Sequence, residues 1–296
     1  MKRKTLQELT FKDNFMFAAV MLDEENAKGV IERALEIKVD HVEVSYEKSI
    51  VYNPEYKGIR LDVYLKDELG RHFNVEMQVA TTHILKRSRY YHSQIDMELL
   101  GTGIDYEELP ESYVIFICDF DPIGLGKYKY TRCQTILEDK GYEYDDGSHT
   151  VFLSTVGENE DEVTQDLVKF LKFVGAGIEE SKGDYSDKFV ERLQKSVEKI
   201  KFDREMGRRY MLFEELMKDE YNAGKAEGME LAKASHIRVA ENNMIEILEA
   251  LAPVSENLKN RILSIESFED VMQLTVKAAK ADTLQNFEEE LAKAGY

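Results

Sequence analysis

Cysteine, long apolar runs and positive charge are all scarce in this 296-residue chain. The two cysteines, Cys118 and Cys133, are too few for a disulfide framework, and neither sits in a metal-type spacing. Cys118 lies in "YVIFIC", which reads as a buried central strand, so its role is packing. No apolar stretch reaches the roughly 20 residues that a membrane span needs. The opening "MKRKTLQELT" does not have the pattern of a secretory signal. A cytoplasmic protein with no membrane partner is the expectation.

The shortage of positive charge excludes more. Lys and Arg number 39 against 58 Asp and Glu, a net charge of −19. Residues 1–158 carry 19 basic against 29 acidic groups (−10), which leaves 20 against 29 (−9) for residues 159–296. That is the wrong sign for a surface that neutralises phosphates. Affinity for nucleic acid has to come from a local patch, from bound metal, or from a homodimer that doubles a weak contact. The concentrated basic patch is "HILKRSR", with Lys86, Arg87 and Arg89.

What the chain does have is core-building material: 43% hydrophobic residues, with 16 Tyr and 14 Phe. Its length holds one large domain, or one domain and an appendage. Residues 57–80, "KGIRLDVYLKDELGRHFNVEMQVA", read as a β-hairpin. Ile59, Leu61, Val63 and Leu65 alternate with Arg60, Asp62 and Tyr64; Phe73, Val75, Met77 and Val79 alternate with Asn74, Glu76 and Gln78. Period-2 alternation gives each arm one apolar and one polar face. Both apolar sets must share a side, and a one-residue slip would invert a face. A three-residue loop, Glu68-Leu69-Gly70, satisfies this with Gly70 in the left-handed position. Tyr64 then faces Asn74, Arg60 faces Gln78 and Asp62 faces Glu76. Directly opposed residues have Cβ atoms roughly 4.5–5.5 Å apart, so two like charges repel unless something positive lies between them. A polar solvent face and a divalent-metal site both explain such residues, and the spacing alone leaves both open. A hard cation takes carboxylate oxygens and keeps waters for substrate phosphate, and Gln78 on the same face could hydrogen-bond an attacking water.

The motifs "FKDNFMFAAVM" (11–21), "GIRLDVYLKD" (58–67), "FNVEMQ" (73–78), "LKRSRYYHSQID" (85–96), "GIDYEELPESYVIFICDFDPIG" (103–124) and "YKYT" (128–131) occur in that order. Together they resemble the recombination-promoting nuclease (Rpn) family of the PD-(D/E)XK nuclease superfamily, often labelled transposases, over about residues 8–215. The resemblance implies an α/β fold with a PD-(D/E)XK restriction-endonuclease-like core (αβββαβ, a mixed sheet flanked by helices). It implies a metal-dependent DNA endonuclease linked to recombination, mobile elements or defence, with Mg²⁺ (or Mn²⁺) as cofactor and DNA as partner. It assigns Asp62 and Glu76, with the Met77 backbone carbonyl, as metal ligands, and Gln78 as the residue that orients water. The sequence departs from the family's Glu-x-Lys at Gln78, which carries no charge to favour hydroxide. The alternative is a catalytically weak or inactive nuclease-fold module for protein interaction and dimerisation.

Arg87, Tyr91 and Gln94 fall at i, i+4 and i+7 on a helix expected over about 81–101 and share a face. The resemblance implies that this helix packs beside the site and that Arg87 steadies phosphate. It also makes Glu32, on the first helix expected within 11–36, an auxiliary acid candidate, with surface ion pairing as its bland explanation. His83 and His92 are candidate bases, although a metal-bound water does not require one. The strand pattern gives way to helical periods after about residue 155. A nuclease-like domain is therefore expected over 1–180 and a helical region over 181–296, with helices at 160–175, 186–233, 237–251 and 255–294. Replacing Asp62 or Glu76 by its amide removes a like-charge clash, so neither change is expected to destabilise the metal-free protein.

Overall fold

The computed structural model describes residues 4–50, 59–81, 83–139 and 141–296, apart from the side chains of Tyr46 and Glu47. The end expected near Pro54 for the strand over 41–53 lies outside the described residues. Two helices open the chain, α1 (Asn14–Met21) and α2 (Glu24–Leu35). The helical stretch expected over 11–36 divides at "DEEN", where Asp23 caps α2, its carboxylate accepting from the Asn26 amide. Three strands follow: β1 (Val42–Ile50), β2 (Ile59–Asp67) and β3 (His72–Gln78). Helix α3 (Ile84–Leu99) leads to β4 (Ser112–Cys118), β5 (Lys129–Arg132), the short β6 (Gln134–Thr135) and β7 (Glu143–Tyr144), and β8 (Ser148–Ser154).

The main sheet has the order β1-β2-β3-β4-β8-β5, and β6 with β7 forms a separate two-stranded ribbon. β1, β2 and β3 are antiparallel to one another, β3-β4 and β4-β8 are parallel, and β5 runs antiparallel to β8. This is a mixed sheet flanked by helices, as the motif order implied. Its parallel centre requires a crossover, which α3 supplies between β3 and β4. Val114, Phe116 and Cys118 share a core with Ile84, Tyr91 and Ile95 of α3. The pleat turns the equally buried Ile115 and Ile117 to the opposite face. Cys118 is completely buried, as its place in an apolar run suggested.

The hairpin register follows the apolar pattern. Val63 pairs with Val75, Tyr64 with Asn74 and Leu65 with Phe73. Gly70 takes a φ of +79° in the connecting turn, a conformation that costs glycine little. The Asp67 carboxylate fixes the loop, accepting from the amides of Leu69 and Arg71 and from Arg71 Nε at 2.6 Å.

Beyond the sheet come α4 (Gln165–Gly175), α5 (Lys188–Phe202), α6 (Arg204–Glu249), α7 (Glu256–Ile262), α8 (Phe268–Lys280) and α9 (Leu284–Lys293). No strand occurs after Ser154 among the described residues. The helix expected over 186–233 is interrupted at Asp203, whose carboxylate accepts from the Glu205 and Met206 amides and starts α6. α6 then runs unbroken through the second expected start near 237. The chain forms two compact units, Met1–Met211 and Leu212–Tyr296. α5 belongs to the first: its Phe189 ring packs where a Cβ on Gly29 of α2 would lie, 2.1 Å away. The second has its own core, including Met244, Leu248, Leu258, Ile262, Phe287 and Leu291.

Candidate active site

The polar face of the hairpin is not a solvent face. All seven residues of β3 are buried, because α3 covers the side that carries Asn74, Glu76 and Gln78. Burying a carboxylate without partners is costly, and Glu76, fully inaccessible, is surrounded by donors. Its Oε1 accepts from the Asp62 amide at 3.1 Å and from Asn74 Nδ2 at 3.1 Å. Its Oε2 accepts from Arg87 Nη2 at 2.8 Å and, at 3.5 Å, from the Tyr91 hydroxyl.

The β2–β3 ladder pairs residues as far as Val63 and Val75. One residue on, side chains carry the bonds: Asp62 N–H donates to Glu76, and Met77 N–H donates to the Asp62 carboxylate at 3.3 Å. The two acids are thus interlocked neighbours across the strands, as the register predicted. Burial first, and the Asp62 charge second, raise the Glu76 carboxyl to about 7, while Arg87 pulls the other way. The Tyr91 hydroxyl is pushed up by burial and then by Glu76, which keeps it a donor.

Arg87 ties the site together. Its Nη1 donates to Gln78 Oε1 at 2.9 Å, its Nη2 to Glu76 and its Nε to the Tyr91 oxygen at 2.7 Å. The i, i+4 spacing of Arg87 and Tyr91 on α3 makes this fork reach both strand residues.

These groups border a cleft of about 800 Å³. Asp62, Gln78, Arg87 and Tyr91 line it, together with Asn14, Arg60, His83, Lys86 and Tyr90. Among the described residues, three Lys or Arg side chains therefore meet a single lining carboxylate, within a chain of net charge −19. The local basic patch that nucleic-acid affinity requires is present.

Other candidates lie elsewhere. Glu32 accepts from the Val39 amide and sits 3.8 Å from Lys38, so it serves the turn after α2 rather than the cleft. Gln94 is a full turn beyond the lining part of α3 and contacts Met97. His92 is buried between the hydroxyls of Ser112 and Thr150, each at 3.0 Å, at the far end of β4. It is a packing residue, held neutral with its pKa lowered to about 4 chiefly by burial. Asn14 and Asn74 are the residues that sequence reasoning passed over. Asn74 was legible, lying two residues before Glu76 on the same strand face; Asn14 sits inside a quoted motif without any spacing that ties it to the hairpin.

Among the described residues no group of three or more His, Cys, Asp or Glu is placed to hold a metal. The acids that meet at the hairpin are two carboxylates, Asp62 and Glu76. Asn74 Oδ1 is buried beside Glu76 with no hydrogen-bond partner. A like-charged oxygen pair next to an undonated oxygen fits a hard, partly hydrated cation. No described helix is long and apolar enough to cross a membrane.

A mixed sheet with paired acids on neighbouring strands, beside a crossover helix that supplies cations, is the layout of a nuclease-type α/β core. Residues 10–227 match the PD-(D/E)XK nuclease family transposases, and the chain belongs to that family. No curated protein and no solved structure matches the chain at a significant level.

Proposed function

We propose that the cleft hydrolyses phosphodiester bonds of DNA with a divalent cation, Mg²⁺ or Mn²⁺. The observation that carries this reading is the interlocked Asp62–Glu76 pair, opening onto a cleft lined by Arg60, Lys86 and Arg87. Asp62, Glu76 and the Met77 carbonyl hold the cation. When bound, such a cation polarises a phosphoryl oxygen and brings the pKa of water toward neutrality. Gln78 orients the attacking water through its carboxamide, a task that needs hydrogen bonds but no charge. Arg60 and Lys86 draw the phosphate backbone in, which offsets the repulsion of a net acidic chain. The neutral Gln78 in place of lysine leaves charge stabilisation to the cation and the arginines. A link to recombination or mobile-element biology is what the family suggests.

One observation favours a second reading, a nuclease-fold interaction module: Glu76 has its own counter-charge in Arg87, 2.8 Å away. Plasmid DNA incubated with the purified chain and Mg²⁺, Mn²⁺ or EDTA decides between the two. Metal-dependent nicking that disappears in Asp62→Ala supports hydrolysis here. Intact plasmid under every condition, from folded protein, leaves the interaction module.

A further inference from the structure

Both oxygens of Glu76 are already engaged. A carboxylate offers about four lone-pair sites, and three are filled at short range, by the Asp62 amide and Asn74 on Oε1 and by Arg87 on Oε2, with the Tyr91 hydroxyl 3.5 Å from Oε2. A cation that takes Oε2 meets Arg87 there, and one that takes Oε1 must displace a strand donor. The Asp62 amide and Asn74 belong to the strands, and Asn74 is completely buried. Arg87 is the donor with freedom to leave, for its side chain is one-third exposed (33%) at the cleft edge. It is also the donor that a second cation repels.

We propose that Arg87 is a metal-displaced latch: its guanidinium stands in for the cation in the metal-free site and is expelled when the cation loads. This rests on Asp62 and Glu76 being the metal-holding pair. The same fork holds Gln78 Oε1, so a single displacement does three things. It frees a Glu76 oxygen for the cation. It frees the Gln78 oxygen to accept a hydrogen bond from water. It also sends the guanidinium into the cleft beside Arg60 and Lys86, where a bidentate donor suits a phosphate. Arg87 is thereby a positioning residue for Glu76 and Gln78 before it reaches substrate. The latch keeps the water-orienting acceptor engaged until metal is present.

The test reads Arg87 itself. In the metal-free full-length chain, hindered rotation about the Arg87 Nε–Cζ bond should give separate Nη signals by nitrogen NMR, assigned by their loss in Arg87→Lys. Saturation with Mg²⁺ should merge them. Calorimetric titration with Mn²⁺ should show Arg87→Gln binding about tenfold more tightly than wild type, about 1.4 kcal/mol. Lys86→Gln, which removes a charge from the same cleft without touching Glu76, should gain clearly less. Separate Nη signals that persist at Mg²⁺ saturation overturn the latch and leave the metal site standing, as does an Arg87→Gln affinity no higher than that of Lys86→Gln. Absence of Mg²⁺ and Mn²⁺ binding in both wild type and Arg87→Gln, with both folded, overturns the metal site and the latch together.

Discussion

Two buried polar clusters lie beneath the same helix, α3, and they are built to opposite ends. At one end His92 sits between two hydroxyls, Ser112 and Thr150. Both His92 ring nitrogens are paired with neutral hydroxyls there, and the charged groups that act on it, Arg132 and Asp146, do so without a hydrogen bond to the ring. At the other end Asp62, Glu76 and Arg87 bring three formal charges together, and Asn74 Oδ1 is left without a donor. A neutral, satisfied cluster costs little. A charged one with a spare acceptor costs stability, and folding alone gives no reason to keep it. The difference supports the proposal that the second cluster is the working one.

The largest effect expected separates the clusters by activity. Glu76→Gln should lower metal-dependent cleavage of plasmid DNA by about 10²-fold or more, the scale seen when a key electrostatic group is lost from an active site. A folded His92 variant should cleave at the wild-type rate. Equal loss in both would erase the distinction. Gln78→Ala sharpens it: the protein should still gain thermal stability with Mn²⁺ by mass action, yet cleave far more slowly.

Stability should rank the clusters the other way. His92→Leu strands two buried hydroxyls and should cost about 2–6 kcal/mol in denaturant unfolding, at about 1–3 kcal/mol for each unsatisfied group. Its Mn²⁺ affinity should match wild type. A His92→Leu protein as stable as its parent would mean that the hydroxyls find other partners, and the neutral cluster would lose its structural standing.

Which parts of this contrast were legible in the sequence depends on the range of the interactions involved. Hairpin register, the Gly70 turn and the Asp62–Glu76 adjacency are set by period-2 alternation and loop length, so they could be read directly. That α3 roofs the polar face could not, since it depends on how a helix docks on strands from three parts of the chain. This is why the β3 half of a face that resembles solvent-exposed sheet is buried, while Arg60 and Lys66 on the β2 half stay exposed. Arg87 and Tyr91 were recoverable from helical spacing, whereas Gln94 shared their face but lay too far along the axis. Glu32 came from the resemblance alone, with no spacing to tie it to the hairpin, and its carboxylate meets Val39 and Lys38 instead. Two of the cleft's three cations, Lys86 and Arg87, were legible in the basic patch "HILKRSR", whereas the part played by Arg60 depended on how β2 faces α3.

pH should pull the clusters apart as well. His92 and His72 both have pKa values lowered to about 4, burial being the leading cause. Each favours the folded state while neutral, so that contribution is present above the unfolded value near 6.5 and is lost as pH falls through 4. For His92, at 1.36 kcal/mol per pKa unit, the loss is on the order of 3 kcal/mol at most. Denaturant unfolding between pH 7 and 4 should show this decline, and His92→Leu should flatten part of it. An unchanged slope in that variant would remove His92 from the account.

The smallest effect concerns Asp62, and it runs in the opposite direction on the pH axis. Glu76 has its carboxyl raised to about 7, by burial and then by Asp62. A carboxyl raised in the folded state contributes stability that is full below its unfolded value near 4.5 and is lost as pH rises through 7. The metal-free protein should therefore weaken on the alkaline side for the sake of the charged cluster, while the histidines weaken it on the acid side. Asp62→Asn removes the neighbouring charge and keeps an oxygen that can accept from the Met77 amide. Its metal-free stability at pH 8 should equal or exceed that of wild type, by about 1 kcal/mol or less. Its decline between pH 5 and 8 should be shallower. The same relief does not carry over to Glu76→Gln, because that change takes the ion-pair partner from Arg87, so the two amide substitutions are not equivalent as the paired-acid pattern alone suggested. Carbon-13 titration of the Glu76 carboxyl gives the direct check: its midpoint should move down in Asp62→Asn. A midpoint that stays where it is would assign the whole shift to burial, and Asp62 would no longer be the charge that a cation is needed to offset.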